Sequence, residues 1–96
     1  MARREYKLSI TVNGNRINKV IIDSHYEMKH ASNISDKIIL DLVKTLDGER
    51  HEPDEVDPPY VYFVKDGIQH LGKRYKLIWL LEDHQIYIGV VNAYRR

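Results

Sequence analysis

The chain has 96 residues, of which 43% are hydrophobic and 30% are charged. This length and composition predict one globular domain over residues 1–96 and exclude disorder, a collagen-like repeat and a coiled coil. The net charge of +1 is uneven: residues 47–64 hold six Asp/Glu and one Lys/Arg, whereas the segments before and after each hold three more Lys/Arg than Asp/Glu. If the two basic segments meet in the fold, they form a surface that attracts phosphates, although ordinary solvation of a small protein explains the same charges.

The absence of cysteine excludes disulfides and thiol chemistry. It is compatible with a reducing compartment, so a cytoplasmic protein is expected. No apolar run is long enough to cross a bilayer, so no membrane segment is expected.

The first predicted elements are a β-hairpin and two helices. Residues 6–12 alternate polar and apolar side chains, Asn13-Gly14 is a favoured hairpin turn, and residues 17–22 form the returning strand. Ser24 is expected to cap a short helix over residues 25–31, and Ser35 a longer one. The longer helix has a single apolar stripe that consists of Ile38, Ile39, Leu42, Val43 and Leu46.

The second half of the chain predicts a loop followed by three strands. Residues 49–59 contain three prolines and five acids, which indicates an exposed connection that cannot join a sheet. Strands are predicted over residues 60–65, 74–82 and 85–94, with turns at Asp66-Gly67 and Asp83-His84, and Gly89 is expected at a bulge or close contact. The connections are too short for crossovers, so these strands should form an antiparallel meander. The predicted fold class is therefore α+β, an antiparallel sheet of the terminal three-stranded meander and the N-terminal hairpin, packed on two helices.

The first predicted helix carries candidates for acid–base chemistry. His25 and Lys29 are one helical turn apart, and His30 lies beside Lys29. Histidine titrates near neutral pH, so two imidazoles beside an ammonium group suit phosphodiester cleavage, although a partly exposed helix with ordinary histidines explains the same residues. No metal site is predicted, because a helix presents ligands best at positions i and i+4 and a third ligand is not evident. The remaining histidines are predicted to be exposed: His51, His70 and His84.

The second group of candidates is basic and aromatic. Alternation places Arg74 and Lys76 on one face of their strand, where both cations can face a phosphate. Arginine binds phosphate oxygens bidentately and stabilises charge that develops in a transition state. The last strand ends in Tyr94 and Arg95. Surface charge and a frayed basic terminus are the alternative interpretation.

Motifs for other chemistries are absent from the sequence, among them the P-loop, GxGxxG, GxSxG and HExxH, and no cofactor is predicted. The functions that the sequence leaves possible are metal-independent phosphodiester cleavage, nucleic-acid binding and protein binding.

Four stretches of the sequence carry a family resemblance: VIIDSHYEMKH over residues 20–30, ISDKIILDLVKTL over 34–46, RYKLI over 74–78 and VNAYR over 91–95. They resemble the barnase/EndoU/colicin/RelE-type nuclease superfamily, in particular its phage-associated and polymorphic-toxin members. Those domains combine a strand that ends near a histidine, a helix with a Lys-His pair, a second helix that ends near an acidic or proline-containing loop, and a terminal antiparallel sheet. The leading hairpin lies outside the resemblance.

The resemblance implies a metal-independent ribonuclease in which the ribose 2′-oxygen attacks the adjacent phosphate and a cyclic phosphate forms. His25 and His30 would be the base and the acid. Lys29 and Arg74 would stabilise the phosphorane charge. Substrate would be bound by Lys76, Tyr94 and Arg95. The implied partners are RNA and an antitoxin or immunity protein.

Two other interpretations stay open. A non-catalytic domain of the same fold would only bind, either RNA through the basic strands or a basic partner through the acidic loop. A sheet-edge dimer through Trp79, Tyr87 and the terminal strand is a further structural hypothesis, and the sequence leaves the oligomeric state open.

Overall fold

The computed structural model describes residues 3–22 and 34–96. These residues form one helix, α1 (Asp36–Lys44), and six strands: β1 (Arg4–Val12), β2 (Asn15–Ile22), β3 (Glu55–Asp57), β4 (Tyr60–His70), β5 (Lys73–Glu82) and β6 (Tyr87–Arg95). The strands join in one sheet in the order β1-β2-β6-β5-β4-β3, and the sheet curls into half of a barrel. In this described part of the chain, no helix is long and apolar enough to cross a membrane.

The predicted fold class, an antiparallel sheet packed on two helices, is wrong. The described residues are mostly β and contain one helix, while the predicted helix over residues 25–31 and its cap Ser24 lie outside them. The sheet is mixed, because β2 pairs with β6 in parallel, with Val20 beside Ile88 and Ile22 beside Val90. Turn residues determine hairpins between neighbouring strands, whereas this pairing joins strands far apart in the sequence, and no local pattern predicts it.

The predicted N-terminal hairpin and the second predicted helix are confirmed. Asn13 and Gly14 have φ angles of 53° and 77°, the left-handed conformation that a two-residue hairpin turn requires. The Ser35 hydroxyl accepts a hydrogen bond of 3.2 Å from the Ile38 amide, which caps α1. The apolar stripe packs on the sheet, where its fully buried members are Ile39, Leu42, Val43 and Leu46.

The terminal meander is also confirmed, but its first turn lies later than predicted. β4 continues through Asp66 and Gly67, where a bulge shifts its pairing with β5. The chain turns instead at Leu71 and Gly72, which have φ angles of 51° and 79°. Leucine is not a turn residue, so this turn has no strong signal in the sequence.

The proline-rich connection contributes a strand, contrary to the prediction. Glu55 pairs with Tyr62, and Asp57 pairs with Tyr60. The three prolines lie outside β3, and β3 lies at the edge of the sheet, so no ladder hydrogen bond is lost to them. This short strand places two carboxylates beside two tyrosines.

The two faces of the sheet differ in what covers them. Tyr75, Leu77 and Trp79 of β5 are buried on the face that packs against α1, which we call the core face. Among the described residues, no helix covers the opposite face, which we call the outer face. The alternation of side chains along β5 assigns to the outer face Arg74, Lys76, Ile78, Leu80 and Glu82.

Trp79 is buried and β6 is an inner strand of the described sheet, so the hypothesis of a sheet-edge dimer through them is wrong. Trp79 is 0% exposed and stacks on Phe63, with ring centroids 5.3 Å apart. β6 lies between β2 and β5, whereas the edges of the described sheet are β1 and β3. Gly89 of β6 makes the expected close contact, since an added Cβ would lie 3.0 Å from Leu80 Cδ1.

Candidate nucleic-acid interface

One end of the outer face carries three of the predicted site residues, Arg74, Lys76 and Tyr94, which we call the basic end. Lys76 of β5 pairs with Tyr94 of β6, and its Nζ lies 5.8 Å from the centroid of the Tyr94 ring. Arg74 precedes Lys76 by two positions on the same face and pairs with Gln69 of β4. Two cations and an aromatic ring therefore lie side by side on the surface.

This combination of side chains suits single-stranded nucleic acid. Lysine and arginine neutralise phosphates, and the guanidinium group binds their oxygens bidentately. Aromatic rings and guanidinium planes also stack on unpaired bases. The acidic neighbour in the bulge of β4, Asp66, is paired with Arg96, whose Nε lies 3.2 Å from Asp66 Oδ1. That ion pair offsets the negative charge closest to the basic end in β4.

Arg95, the fourth predicted residue of this region, lies on the other face. It pairs with Tyr75, whose side chain is buried on the core face, whereas Tyr94 pairs with Lys76. Alternation along β6 therefore separates Tyr94 from Arg95, two of the three residues that the resemblance implied would bind substrate. Tyr94 joins the basic end, and Arg95 is exposed away from it.

The predicted acid–base residues His25, Lys29 and His30 lie outside the described residues. The strand that leads to them is described. Because β2 and β6 are parallel, β2 runs in the direction in which β6 approaches Tyr94, and its last residue, Ile22, pairs with Val90 in the middle of β6. β2 therefore runs toward the basic end, and His25 follows Ile22 by three positions in the sequence.

Arg4 links the end of β2 to the start of α1, the described elements on either side of this segment. It pairs with Ile22 in the sheet, and its Nε and Nη2 donate hydrogen bonds of 2.5 and 2.8 Å to the Asp36 carboxylate at the start of α1. The Tyr6 hydroxyl donates to the same carboxylate. The hydrogen bonds from Arg4 lower the pKa of Asp36, which keeps this ion pair formed at neutral pH. The chain therefore leaves β2 and re-enters α1 beside one anchored side chain.

The described histidines do not lie on the outer face. His70 Nε2 lies 3.5 Å from Asp41 Oδ2 of α1, so its ring faces the helix. The side chains of His51 and His70 are 12% and 19% exposed, so the prediction that they are exposed was wrong. Their partners come from elements distant in the sequence, which local composition does not reveal. His84 is exposed in the turn before β6, as predicted.

His51 is a packing residue near the opposite end of the sheet. Its amide donates a hydrogen bond of 2.6 Å to Asn13 Oδ1, and Asn13 Nδ2 donates one of 3.0 Å to its carbonyl. The imidazole meets the Trp79 indole edge-on, with ring centroids 5.0 Å apart. Burial lowers the pKa of His51, although the Glu49 carboxylate, 3.3 Å from Nε2, opposes the change. The ring is therefore neutral at neutral pH, and it is remote from the basic end.

Among residues 3–22 and 34–96, no group of three or more histidine, aspartate or glutamate side chains is placed to hold a metal ion. Comparisons with protein-family models, with curated proteins and with solved structures find no match to this chain. The nuclease resemblance therefore stays a prediction that rests on the sequence.

Proposed function

We propose that this protein is a ribonuclease-type domain that binds single-stranded RNA at the basic end of its outer face and cleaves it without a metal ion. The observation that supports the proposal is the common face of Arg74, Lys76 and Tyr94, with Lys76 Nζ 5.8 Å from the Tyr94 ring. The direction of β2, which runs toward this end just before His25, is consistent with it.

In the proposed complex, Tyr94 stacks on an unpaired base while Arg74 and Lys76 contact the flanking phosphates. Contacts of this kind are sequence-tolerant, because every base has an aromatic face and every nucleotide a phosphate. Binding should weaken steeply as the salt concentration rises.

The proposed cleavage uses His25 and His30, each in one protonation state. One neutral imidazole removes the proton from the ribose 2′-OH, and the 2′-oxygen forms a bond to phosphorus. The bond from phosphorus to the 5′-oxygen breaks, and the other imidazole, as imidazolium, donates its proton to that oxygen. The products are a 2′,3′-cyclic phosphate and a free 5′-hydroxyl. Arg74 and Lys29 stabilise the negative charge that grows on the phosphorane oxygens.

The test uses a single-stranded RNA labelled at its 5′ end and incubated with the protein in EDTA between pH 5 and 8. We expect fragments that end in a cyclic phosphate. The matched control has the same sequence in DNA, which lacks the 2′-OH and must be bound but not cut. RNA that stays intact over the whole pH range refutes cleavage, and cut DNA refutes attack by the 2′-oxygen.

A second candidate function, RNA binding without cleavage, is favoured by the positions of the described histidines. The described part of the outer face supplies cations and rings, but none of His51, His70 and His84 lies there to act as a base. This function predicts salt-sensitive retention of intact RNA in the same experiment.

A further inference from the structure

The other end of the outer face carries different side chains, and we call it the tyrosine–carboxylate end. It consists of Tyr60, Tyr62, Glu82 and Tyr87. Tyr60 of β4 pairs with Glu82 of β5, and the Tyr87 hydroxyl of β6 donates a hydrogen bond of 2.5 Å to Glu82 Oε1. The rings of Tyr60 and Tyr62 lie 6.4 Å apart, tilted by 55°. All four side chains are half-buried, so each is held by its neighbours and still presents part of its surface to solvent.

The edge strand β3 adds carboxylates beside these rings. Asp57 pairs with Tyr60 and Glu55 with Tyr62, so the order across three strands is Asp57, Tyr60, Glu82. Both β3 carboxylates are exposed. They belong to the segment over residues 47–64 that holds six acids and one Lys/Arg. Three carboxylates therefore lie beside aromatic rings on this end, and Lys19, which pairs with Tyr87 in the sheet, lies 3.5 Å from Glu5 Oε1 in an ion pair.

The hydrogen bond between Tyr87 and Glu82 determines which groups remain available. Burial and the hydrogen bond to Glu82 raise the pKa of Tyr87 to about 12, so its hydroxyl stays protonated and acts as a donor. Tyr87 occupies Oε1 of Glu82. The other carboxylate oxygen can accept from a ligand.

Rings beside carboxylates are complementary to a guanidinium group. The flat cation stacks on a tyrosine face while its N–H groups donate to carboxylate oxygens on either side. A phosphate would meet three carboxylates here, so nucleic acid is repelled.

We propose that the tyrosine–carboxylate end, together with Asp57 and Glu55 of β3, binds an arginine-bearing segment of a partner protein. This site is independent of the proposed ribonuclease function, because it lies at the opposite end of β5 and uses none of the same side chains. One arginine stacks on Tyr60 between Asp57 and Glu82, and a second lies near Tyr62 and Glu55.

The test titrates the whole chain with an unstructured peptide of four Arg-Gly repeats and measures binding by calorimetry and by amide chemical shifts. A peptide of four Glu-Gly repeats is the charge-reversed probe. We expect the arginine peptide to bind, with shifts concentrated in β3, β4 and β5, and the glutamate peptide not to bind. Uniform shifts over all acidic surfaces would overturn the proposal.

Two variants separate specific recognition from general attraction. Glu82→Gln should weaken the arginine peptide about 5-fold or more. Glu52→Gln removes the same charge from an exposed position of the acidic segment outside the sheet and should change affinity less than 2-fold. Equal effects of the two variants would show simple charge attraction and overturn the site.

Three further variants test the Tyr60 ring and the basic end of the face. Tyr60→Phe keeps the aromatic face and should retain binding of the arginine peptide. Tyr60→Ser removes the ring and should weaken binding about as much as Glu82→Gln does. Thermal unfolding of each variant shows whether the fold is kept. Arg74→Ala with Lys76→Ala should leave the arginine peptide bound, because these residues lie at the basic end. The peptide experiment therefore gives the same result whether or not the protein binds RNA. Loss of arginine-peptide binding in that double variant would overturn the independence of the two ends.

Discussion

The two ends of the outer face of β5 are built on one strand and carry opposite charge. Lys76 and Glu82 share a face and lie about 20 Å apart at the usual rise of a strand. At one end, Lys76 has Tyr94 of β6 as its neighbour, and at the other, Glu82 has Tyr60 of β4 and Tyr87 of β6. Tyrosine is common to both ends, so the charge beside the ring decides which ligand each end suits.

Neighbouring strands, more than β5 itself, determine the chemistry of each end. β3 pairs with β4 at the acidic end and adds Asp57 and Glu55. The bulge of β4 at the basic end contains Asp66, but Arg96 neutralises it at 3.2 Å.

The largest effect is expected from substitution of His25 and His30, which we propose as the base and the acid of RNA cleavage. His25→Ala or His30→Ala should reduce RNA cleavage about 100-fold or more, because general acid–base catalysis contributes at least that much. RNA affinity should change less than 2-fold if the basic end does the binding. The measurement is single-turnover cleavage of labelled RNA together with fluorescence anisotropy. Cleavage that survives both substitutions would remove the histidines from the mechanism.

The next effect concerns RNA affinity at the basic end. Arg74→Ala combined with Lys76→Ala should weaken RNA binding about 10-fold at moderate salt. It should also flatten the slope of log K against log salt by about 0.7 for each phosphate that the protein no longer neutralises. The matched control is Lys73→Ala, because Lys73 is also a β5 cation but pairs with His70 and alternates to the core-face side. An equal reduction of affinity in Lys73→Ala would mean that RNA responds to total charge rather than to one face.

A smaller effect is expected at Gly89, which lies between the two ends. Its added methyl group would lie 3.0 and 3.1 Å from Leu80 Cδ1 and Cγ, so Gly89→Ala should lower the free energy of unfolding by about 1 kcal/mol. Urea unfolding measures the loss. In a Leu80→Ala background the same substitution should cost less, since the crowding atoms are gone. An unchanged cost would show that the Leu80 contact is not its cause.

The smallest effect is a dependence of stability on pH through His51. Its pKa is lowered in the fold, so on acidification below about 6.5 the unfolded chain takes up a proton first and the folded state loses stability. Above that pH the ring is neutral in both states and the contribution is constant. We expect the urea midpoint to fall between pH 7.5 and 5.5 and to fall less in His51→Gln. An identical pH dependence in the variant would mean that groups other than His51 cause the loss of stability on acidification. Protonation of His51 would then not contribute to unfolding of the protein in RNA assays at low pH.

Local signals predicted the elements that depend on neighbouring residues. Asn13-Gly14 predicted the hairpin, and Ser35 with its apolar stripe predicted α1, because turn chemistry and capping act within a few residues. The turn at Leu71-Gly72 was missed, since leucine does not favour a left-handed conformation. β3 was missed because prolines on both sides of three residues conceal an edge strand.

For the candidate site, too, the sequence predicted what depends on neighbouring residues and missed what depends on pairing between strands. Alternation correctly grouped Arg74 with Lys76, because side chains two apart on a strand share a face. The cross-strand position of Tyr94, the separation of Arg95 from it and the whole tyrosine–carboxylate end required the register between strands. A signal for that end does exist in the sequence: Tyr60 and Tyr62 alternate with Val61 and Phe63 in a run that follows the acids.

Side-chain alternation, the turn of the first hairpin and the start of α1 follow from the amino-acid sequence, since these depend on forces between near neighbours in the chain. The parallel pairing of β2 with β6 and the entry of the acidic connection into the sheet became visible only in the folded protein. Strand order and register depend on hydrogen bonds and side-chain packing between segments that are distant in sequence, and those interactions determine which charge lies beside which ring.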